Sequence, residues 1–239
     1  MAHLLRLGIL PTGIILPPEH RAIRDLARKR MQLVRSRTSH ILAIQNIMAR
    51  QQAVKITSNA IKRLVAEGFD QMGLPVDVGL AVQSNLAVVT TLGAQIDLLE
   101  KRPQERVGEG PVYALLSSVP GIGRVLATLI LLETGPIDRF DAVSNFTSYA
   151  RCVDSQHVSN GKKKGEGNTK NGNKYLAWAF VEAANFALRF CPEAKRFYER
   201  KIAKTNTVVA AKALAHKLAR ACFHILKERK PFDVTRCFA

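Results

Sequence analysis

From Glu19 to about Gln52 the chain runs without a single Pro or Gly, and this restricts the fold more than any other feature. Ile23, Leu26, Leu33, Val34, Ile41, Ile44 and Met48 recur along it at helical spacing, which predicts one long amphipathic helix. Such a helix is stable in water only when its apolar stripe lies against another element. The sequence supplies that element after Pro75, where Val82, Val89, Leu92, Ile96 and Leu99 follow one another at intervals of 7, 3, 4 and 3, a heptad-like seam. Ile56 to Leu74, between the two, holds a shorter helix and a Gly-bearing turn. We expect an antiparallel coiled-coil hairpin over residues 19–104. Arg21, Arg24, Arg28, Arg30, Arg35 and Arg37 decorate the first helix, and they fit a solvated face as well as a nucleic-acid contact.

The hairpin is flanked on both sides by breaks. Ala2 to Leu10 reads as the tail of a helix, and Pro11, Gly13, Pro17 and Pro18 follow as a stiff linker. Residues 1–18 are therefore expected to be a remnant helix and linker belonging to an N-terminal domain that the sequence does not contain. Lys101 to Pro111 is polar, with two Pro and two Gly, and marks a second boundary. Beyond it, residues 111–239 form a separate domain of short helices: Tyr113 to Val119, Arg124 to Thr134, a segment capped by Asp141 and running to about Ala150, Tyr175 to Phe190, Pro192 to about Lys204, and Val208 to about Lys227. The fold class is all-α, a long hairpin followed by a compact helical domain.

Two features of that domain carry chemistry. Val119-Pro120-Gly121-Ile122-Gly123 lies between two apolar helical runs. Pro120 ends the first helix, and the glycines leave bare backbone N–H groups at the start of the second. A helix N-terminus of this kind attracts anions, so Gly121, Ile122, Gly123 and Arg124 form a candidate helix-hairpin-helix that grips a phosphate. A plain turn packed in a core is the other reading. The second feature is the polar stretch from Arg151 to Asn173, with Ser159-Asn160-Gly161 followed by Lys162, Lys163 and Lys164, then Lys170 and Lys174. A loop this long inside a compact domain is usually functional, and an apolar helix anchors its far end.

Charge narrows the partner. The formal net charge is +17, and residues 151–239 carry 19 Lys and Arg against 7 Asp and Glu. A surface so basic suggests a polyanion, most simply DNA or RNA. An anionic membrane surface competes with that reading, but no lipid-anchor motif supports it and no run was expected to reach the apolar length of a membrane span. No secretory signal is recognisable at the start, so a cytoplasmic protein is expected. Cys152, Cys191, Cys222 and Cys237 are scattered, and small buried thiols describe them better than a zinc site or a disulfide framework.

The order of short motifs is more specific than any one of them. Leu115-Leu116 with Val119 to Gly123, Asp138-Arg139-Phe140, Ser148-Tyr149-Ala150, Ser159 to Lys162, Lys170 to Leu176 and Ala213 to Arg220 follow one another in this sequence. That succession resembles the C-terminal part of the DEDD insertion-sequence transposases, serine-bearing recombinases guided by a bridge RNA. Arg6-Leu7-Gly8 through Thr38 is similar to the family's middle region. The resemblance implies an N-terminal RNase-H-like domain whose acidic residues bind Mg²⁺, a coiled coil and a C-terminal domain with a nucleophilic serine, which matches Ser159. It implies strand exchange through a covalent 5′-phosphoserine link, with DNA and a guide RNA as partners, a homo-oligomer joined through the coiled coil, and a bacterial, nucleoid-associated setting. None of the 19 carboxylates here lies in an RNase-H-like context, so the sequence reads as a truncated product in which this chain by itself would be inactive.

A serine hydroxyl attacks phosphorus only when something takes its proton and something neutralises the phosphate. Ser159 lies in a turn-prone Ser-Asn-Gly, and Lys162, Lys163, Lys164, Lys170 and Lys174 are placed to stabilise phosphoryl charge. His157 is a candidate proton acceptor, and Ser155 is the alternative serine. His216 and His224 read as surface or core residues. Two functions remain: a recombinase of an insertion sequence, or a non-catalytic basic nucleic-acid-binding protein derived from one.

Overall fold

The computed structural model describes residues 2–8, 13–64, 73–108, 110–153, 156–166 and 171–238, with only the backbone described at Gln156, His157 and Glu166. Apart from one two-stranded sheet its regular elements are helical, in agreement with the expected all-α class. The chain divides into two units, residues 23–106 and residues 1–22 with 107–239.

The first unit is a helical hairpin. Helix α2 (Pro18–Gln52) and helix α4 (Val76–Val107) form its arms, and α3 (Ser58–Arg63), capped by Thr57, lies in the connection. Ile41, Ile44 and Met48 share one buried cluster with Val82, Leu86, Val89 and the fully buried Ile61 of α3. One ion pair and one close approach define the register. Arg30 meets Glu100 at 2.7 Å, and a Cβ added at Gly93 would lie 3.8 Å from Arg37 Nη1. Both pairs fit one antiparallel alignment, and extending it sets Ile41 opposite Val89, Ile44 opposite Leu86 and Met48 opposite Val82.

This seam corrects the expected one. Leu86 is fully engaged, whereas Leu92 and Leu99 are only half-buried; on α2 the buried positions include Ala27 and Met31 rather than Ile23, Leu26 and Leu33. The true repeat on α4 alternates steps of four and three residues through Val82, Leu86, Val89, Gly93, Ile96, Glu100 and Pro103. Gly93 and Glu100 do not count as apolar, so the pattern read from sequence slid onto their leucine neighbours. Pro103 lies inside the helix with its ring buried. Among the described helices α4 alone is long and apolar enough to cross a membrane by length and composition, which also corrects the expectation of no such run.

In the second unit, α8 (Lys174–Phe190) and α10 (Thr207–Glu228) are the central helices. Around them pack α5 (Pro111–Ser117), α6 (Arg124–Thr134), α7 (Val143–Tyr149), α9 (Pro192–Ile202) and α11 (Val234–Phe238), with a short α1 (Ala2–Arg6) near the start of the chain. Alanines let the central helices approach closely: Ala179, Ala183, Ala184 and Ala187 on α8, and Ala210, Ala215 and Ala219 on α10, are all buried. Phe146 completes the core, its ring 5.3 Å from Phe140 and 6.0 Å from both Phe180 and Phe223. Helix α6 is buried almost all round rather than along one face. Asp141 does not cap α7, which starts from Ala142 without any side-chain cap. The residues before α2 and its first turn also belong here: Leu16 is buried against Gly135, and His20 donates from Nε2 to the Leu132 carbonyl at 2.9 Å.

The polar stretch between α7 and α8 is not all loop. Strand β1 (Gln156–Ser159) pairs antiparallel with β2 (Lys162–Glu166). Asn160 and Gly161 join them with φ values of 52° and 71°, the left-handed pair that a two-residue hairpin turn requires.

Candidate nucleic-acid interface

The interface is best built from the base of this hairpin. The chain leaves α7 and re-enters at α8 through backbone that meets itself: the Asn173 N–H donates to the Tyr149 carbonyl at 2.6 Å, and Arg151 Nη2 donates to the Gly172 carbonyl at 3.0 Å. Gly172 has φ 80°, and a Cβ there would lie 2.6 Å from the Tyr149 carbonyl oxygen, so only glycine fits. Asn173 holds the closure. Its Oδ1 accepts from the Tyr175 and Leu176 N–H groups and caps α8. Its Nδ2 donates to Glu133 Oε2 at 2.7 Å and to Tyr149 Oη at 3.3 Å. Glu133 is only 2% exposed, so this amide satisfies a carboxylate that has left water.

Arg139 braces the same base from the other side. Its Nε donates to the Thr134 carbonyl at the end of α6, and its guanidinium lies 4.4 Å from the Phe140 ring centroid and 4.5 Å from that of Tyr149. Asp138 pairs with Lys227 of α10 at 2.7 Å, and that ammonium lowers its carboxyl pKa. The Asp138-Arg139-Phe140 motif therefore clamps a helix end, an aromatic core and the root of the loop together. Glu133, Arg139 and Asn173 were not singled out as site residues from sequence. A signal for Asn173 is present in the sequence, an Asn directly before an apolar helix.

On that base the hairpin presents its charge. Val158, Ser159, Asn160, Gly161, Lys162, Lys163 and Lys164 are all exposed, and Ser159 pairs with Lys162 across the turn. His157 pairs with Gly165 on the backbone, two residues before Ser159. The ladder slips between His157 and Val158, so that Val158 faces Lys163. Lys174 is exposed in the first turn of α8, its Nζ 5.2 Å from the Tyr175 ring centroid. Lys170 and Ser155 lie outside the described residues.

The glycine turn divides into two halves. Gly121 has φ 88°, and a Cβ there would collide with the Ala183 carbonyl and stand 2.6 Å from Ala187 N, so this glycine lets the turn press onto α8. Ile122 is buried beside it. Gly123 and Arg124, at the start of α6, are exposed, and nothing lies within 4 Å of a Cβ built on Gly123. The turn is thus a core contact on one side and an open helix N-terminus on the other.

The remaining titratable groups are structural. Burial raises the thiol pKa of Cys152 to about 12 and of Cys237 to about 11, and raises Cys191 and Cys222 as well, so these free thiols stay protonated. His216 is half-buried, and desolvation together with the Arg220 and Lys217 charges lowers its pKa. His224 pairs with Glu228 at 3.0 Å. Among the described residues no three His, Cys, Asp or Glu gather into a group that could hold a metal ion. The resemblance places its Mg²⁺ in the N-terminal RNase-H-like domain, and the described residues here offer that ion no cluster of ligands.

Comparison with known proteins points the same way. The family model described as the IS116/IS110/IS902 transposase family matches residues 113–199, from α5 to α9, including the hairpin and its base. A probable family 20 transposase of Pseudomonas aeruginosa is 26% identical over 219 residues, covering 87% of this chain and 64% of the relative. A transposase for insertion sequence element IS1328 of Yersinia enterocolitica is 25% identical over 143 residues, 58% of this chain and 43% of the relative. An uncharacterized protein of insertion element IS110 from Streptomyces coelicolor is 25% identical over 150 residues, with 62% and 37% covered. The chain thus spans less than two thirds of the length of these relatives. Residues 113–199 thus resemble the transposase domain of that family, and most of the chain is similar to proteins named as transposases.

Proposed function

We propose that this chain is the DNA-gripping and serine-bearing part of an insertion-sequence transposase, with Ser159 as its nucleophile. One observation carries the proposal: Ser159 stands exposed at the turn of a lysine-bearing hairpin, within the segment that matches the transposase family. In the proposed step Ser159 Oγ attacks a backbone phosphorus. The Oγ–P bond forms, the P–O3′ bond breaks, and the products are a 5′-phosphoserine link and a free 3′-hydroxyl. The serine proton passes to an acceptor, for which His157 is the nearest candidate in sequence, and is returned to the leaving O3′ to give the hydroxyl. Lys162, Lys163, Lys164, Lys170 and Lys174 offset the charge that builds on the phosphoryl oxygens. The Gly123 and Arg124 end of α6 holds a neighbouring phosphate through backbone N–H groups. A guide RNA supplies sequence choice, an oligomer brings DNA ends together, and the setting is the bacterial nucleoid.

The test is a denaturing-gel assay for a covalent protein–DNA adduct. It uses the full chain, labelled element-end DNA and the acidic domain of an intact relative supplied in trans with Mg²⁺. An adduct that Ser159→Ala abolishes supports the proposal; an equal adduct yield in the variant removes Ser159 from the nucleophile's role. A second reading draws on the scattered carboxylates of the described residues. In it the chain keeps the scaffold and the basic surface but acts only as a nucleic-acid-binding protein. Salt-dependent DNA binding with no adduct under any condition would select that reading.

A further inference from the structure

Helix α4 has a second seam. Its inner face packs in the hairpin through Val82, Leu86, Val89 and Ile96. On the opposite side Asp77, Leu80, Ser84, Ala87, Thr91, Ala94, Leu98 and Lys101 follow at alternating steps of three and four residues, and every one is exposed. Leu80 is 66% exposed and Leu98 61%, unusual for leucines at repeating positions of one stripe. Thr91 donates its hydroxyl to the Ala87 carbonyl at 2.9 Å, which satisfies that group within the helix.

The stripe is self-complementary. Run antiparallel to a copy of itself about a two-fold axis at the level of Val89, it sets Leu80 against Leu98, Ser84 against Ala94, Ala87 against Thr91, and Asp77 against Lys101. Each contact then occurs twice, as an isologous interface demands. Small residues at the centre let two helix axes come within about 8 Å, and the leucines close the ends. The charges fix orientation and register. A parallel pairing would set Asp77 on Asp77 and Lys101 on Lys101, and a slip of one heptad would press each Leu80 on Thr91 or on Glu105. Among the described residues neither Asp77 nor Lys101 has an ion-pair partner within the chain.

We infer that the outer face of α4 docks onto the same face of a second copy of this chain, antiparallel, with reciprocal Asp77–Lys101 ion pairs. This deepens the oligomer reading above by naming its surface and register, and it is tested without DNA, so its failure is separate from failure of the serine chemistry. The experiment is sedimentation equilibrium of the full chain, in low salt and without nucleic acid. A dimer is expected. Leu80→Glu with Leu98→Glu should raise its dissociation constant at least about a hundredfold, and Asp77→Lys alone about tenfold. Asp77→Lys combined with Lys101→Asp should recover most of the loss. Circular dichroism checks that the exposed substitutions leave the helices intact. A monomer at every concentration reached, a dimer unchanged by the two glutamates, or failure of the charge swap to restore pairing would overturn the inference. So would a monomer that floats with neutral phosphatidylcholine vesicles, which would assign the apolar face to a lipid surface instead.

Discussion

Asn173 shows how one side chain sets the geometry of the proposed site. It caps α8 with its oxygen and satisfies the buried Glu133 with its nitrogen. Asn173→Ala removes both, and stability is expected to fall by about 2 to 4 kcal/mol, the sum of a lost cap and a lost hydrogen bond to a buried carboxylate. Asn173→Asp keeps the capping oxygen but sets a second carboxylate against Glu133. Urea denaturation should show this variant less stable than the native chain. The two glycines of the turn separate in the same way. Gly121→Ala forces a Cβ into the α8 backbone at a left-handed φ, and a loss of about 3 kcal/mol or more is expected. Gly123→Ala meets open space and should leave stability within about 1 kcal/mol. If α6 grips a phosphate, DNA affinity in the Gly123 variant falls while the fold holds; unchanged affinity would leave the turn as packing alone.

At the level of elements, some of the structure was legible in the sequence and some was hidden for identifiable reasons. The long helices could be read because nothing in 19–52 breaks them. Their exact seam could not, because Gly93 and Glu100 occupy seam positions that a hydrophobic pattern ignores, and Arg30 and Arg37 are the residues that answer them. The β-hairpin was missed although Asn160-Gly161 is a strong turn signal. Gln156 to Ser159 and Lys162 to Glu166 lack the apolar alternation that marks a half-buried strand; the strands pair with each other, and Val158, Ser159 and Lys162 to Gly165 are exposed. The burial of α6 on nearly all sides is a property of its neighbours and not of its own period. The docking of α11 on α10 likewise rests on a contact that spacing does not reveal. Arg236 forks onto Glu228 with two bonds of 2.7 Å, and this, with help from His224, holds the Glu228 carboxyl at about 2. A depressed folded pKa means that this pair's contribution is complete above the group's ordinary value of 4.5 and is lost as pH falls toward about 2. The protection factors of Val234–Phe238 against hydrogen exchange, taken relative to the intrinsic rate at each pH, should therefore fall through that window in the native chain. In Glu228→Gln they should already be low at neutral pH and change little with acid.

Over the whole molecule, charge determines the behaviour expected in solution. With a net charge of +17 and the excess in residues 151–239, the proposed grip on DNA must weaken steeply with salt. Replacing Lys162, Lys163 and Lys164 together by Ala should reduce the slope of log affinity against log salt by about 2 to 3, if each lysine meets a phosphate. A slope unchanged in the triple variant would move the DNA away from the hairpin. The account's central claim is narrower than basicity, however: the hydroxyl that the hairpin displays is the one that becomes bonded to phosphorus. Its most direct test is mass spectrometry of the protein–DNA adduct after nuclease and protease digestion, with the modified side chain located by fragmentation. The account predicts a 5′-linked nucleotide on Ser159. A nucleotide on Ser155 or on any other residue would contradict it.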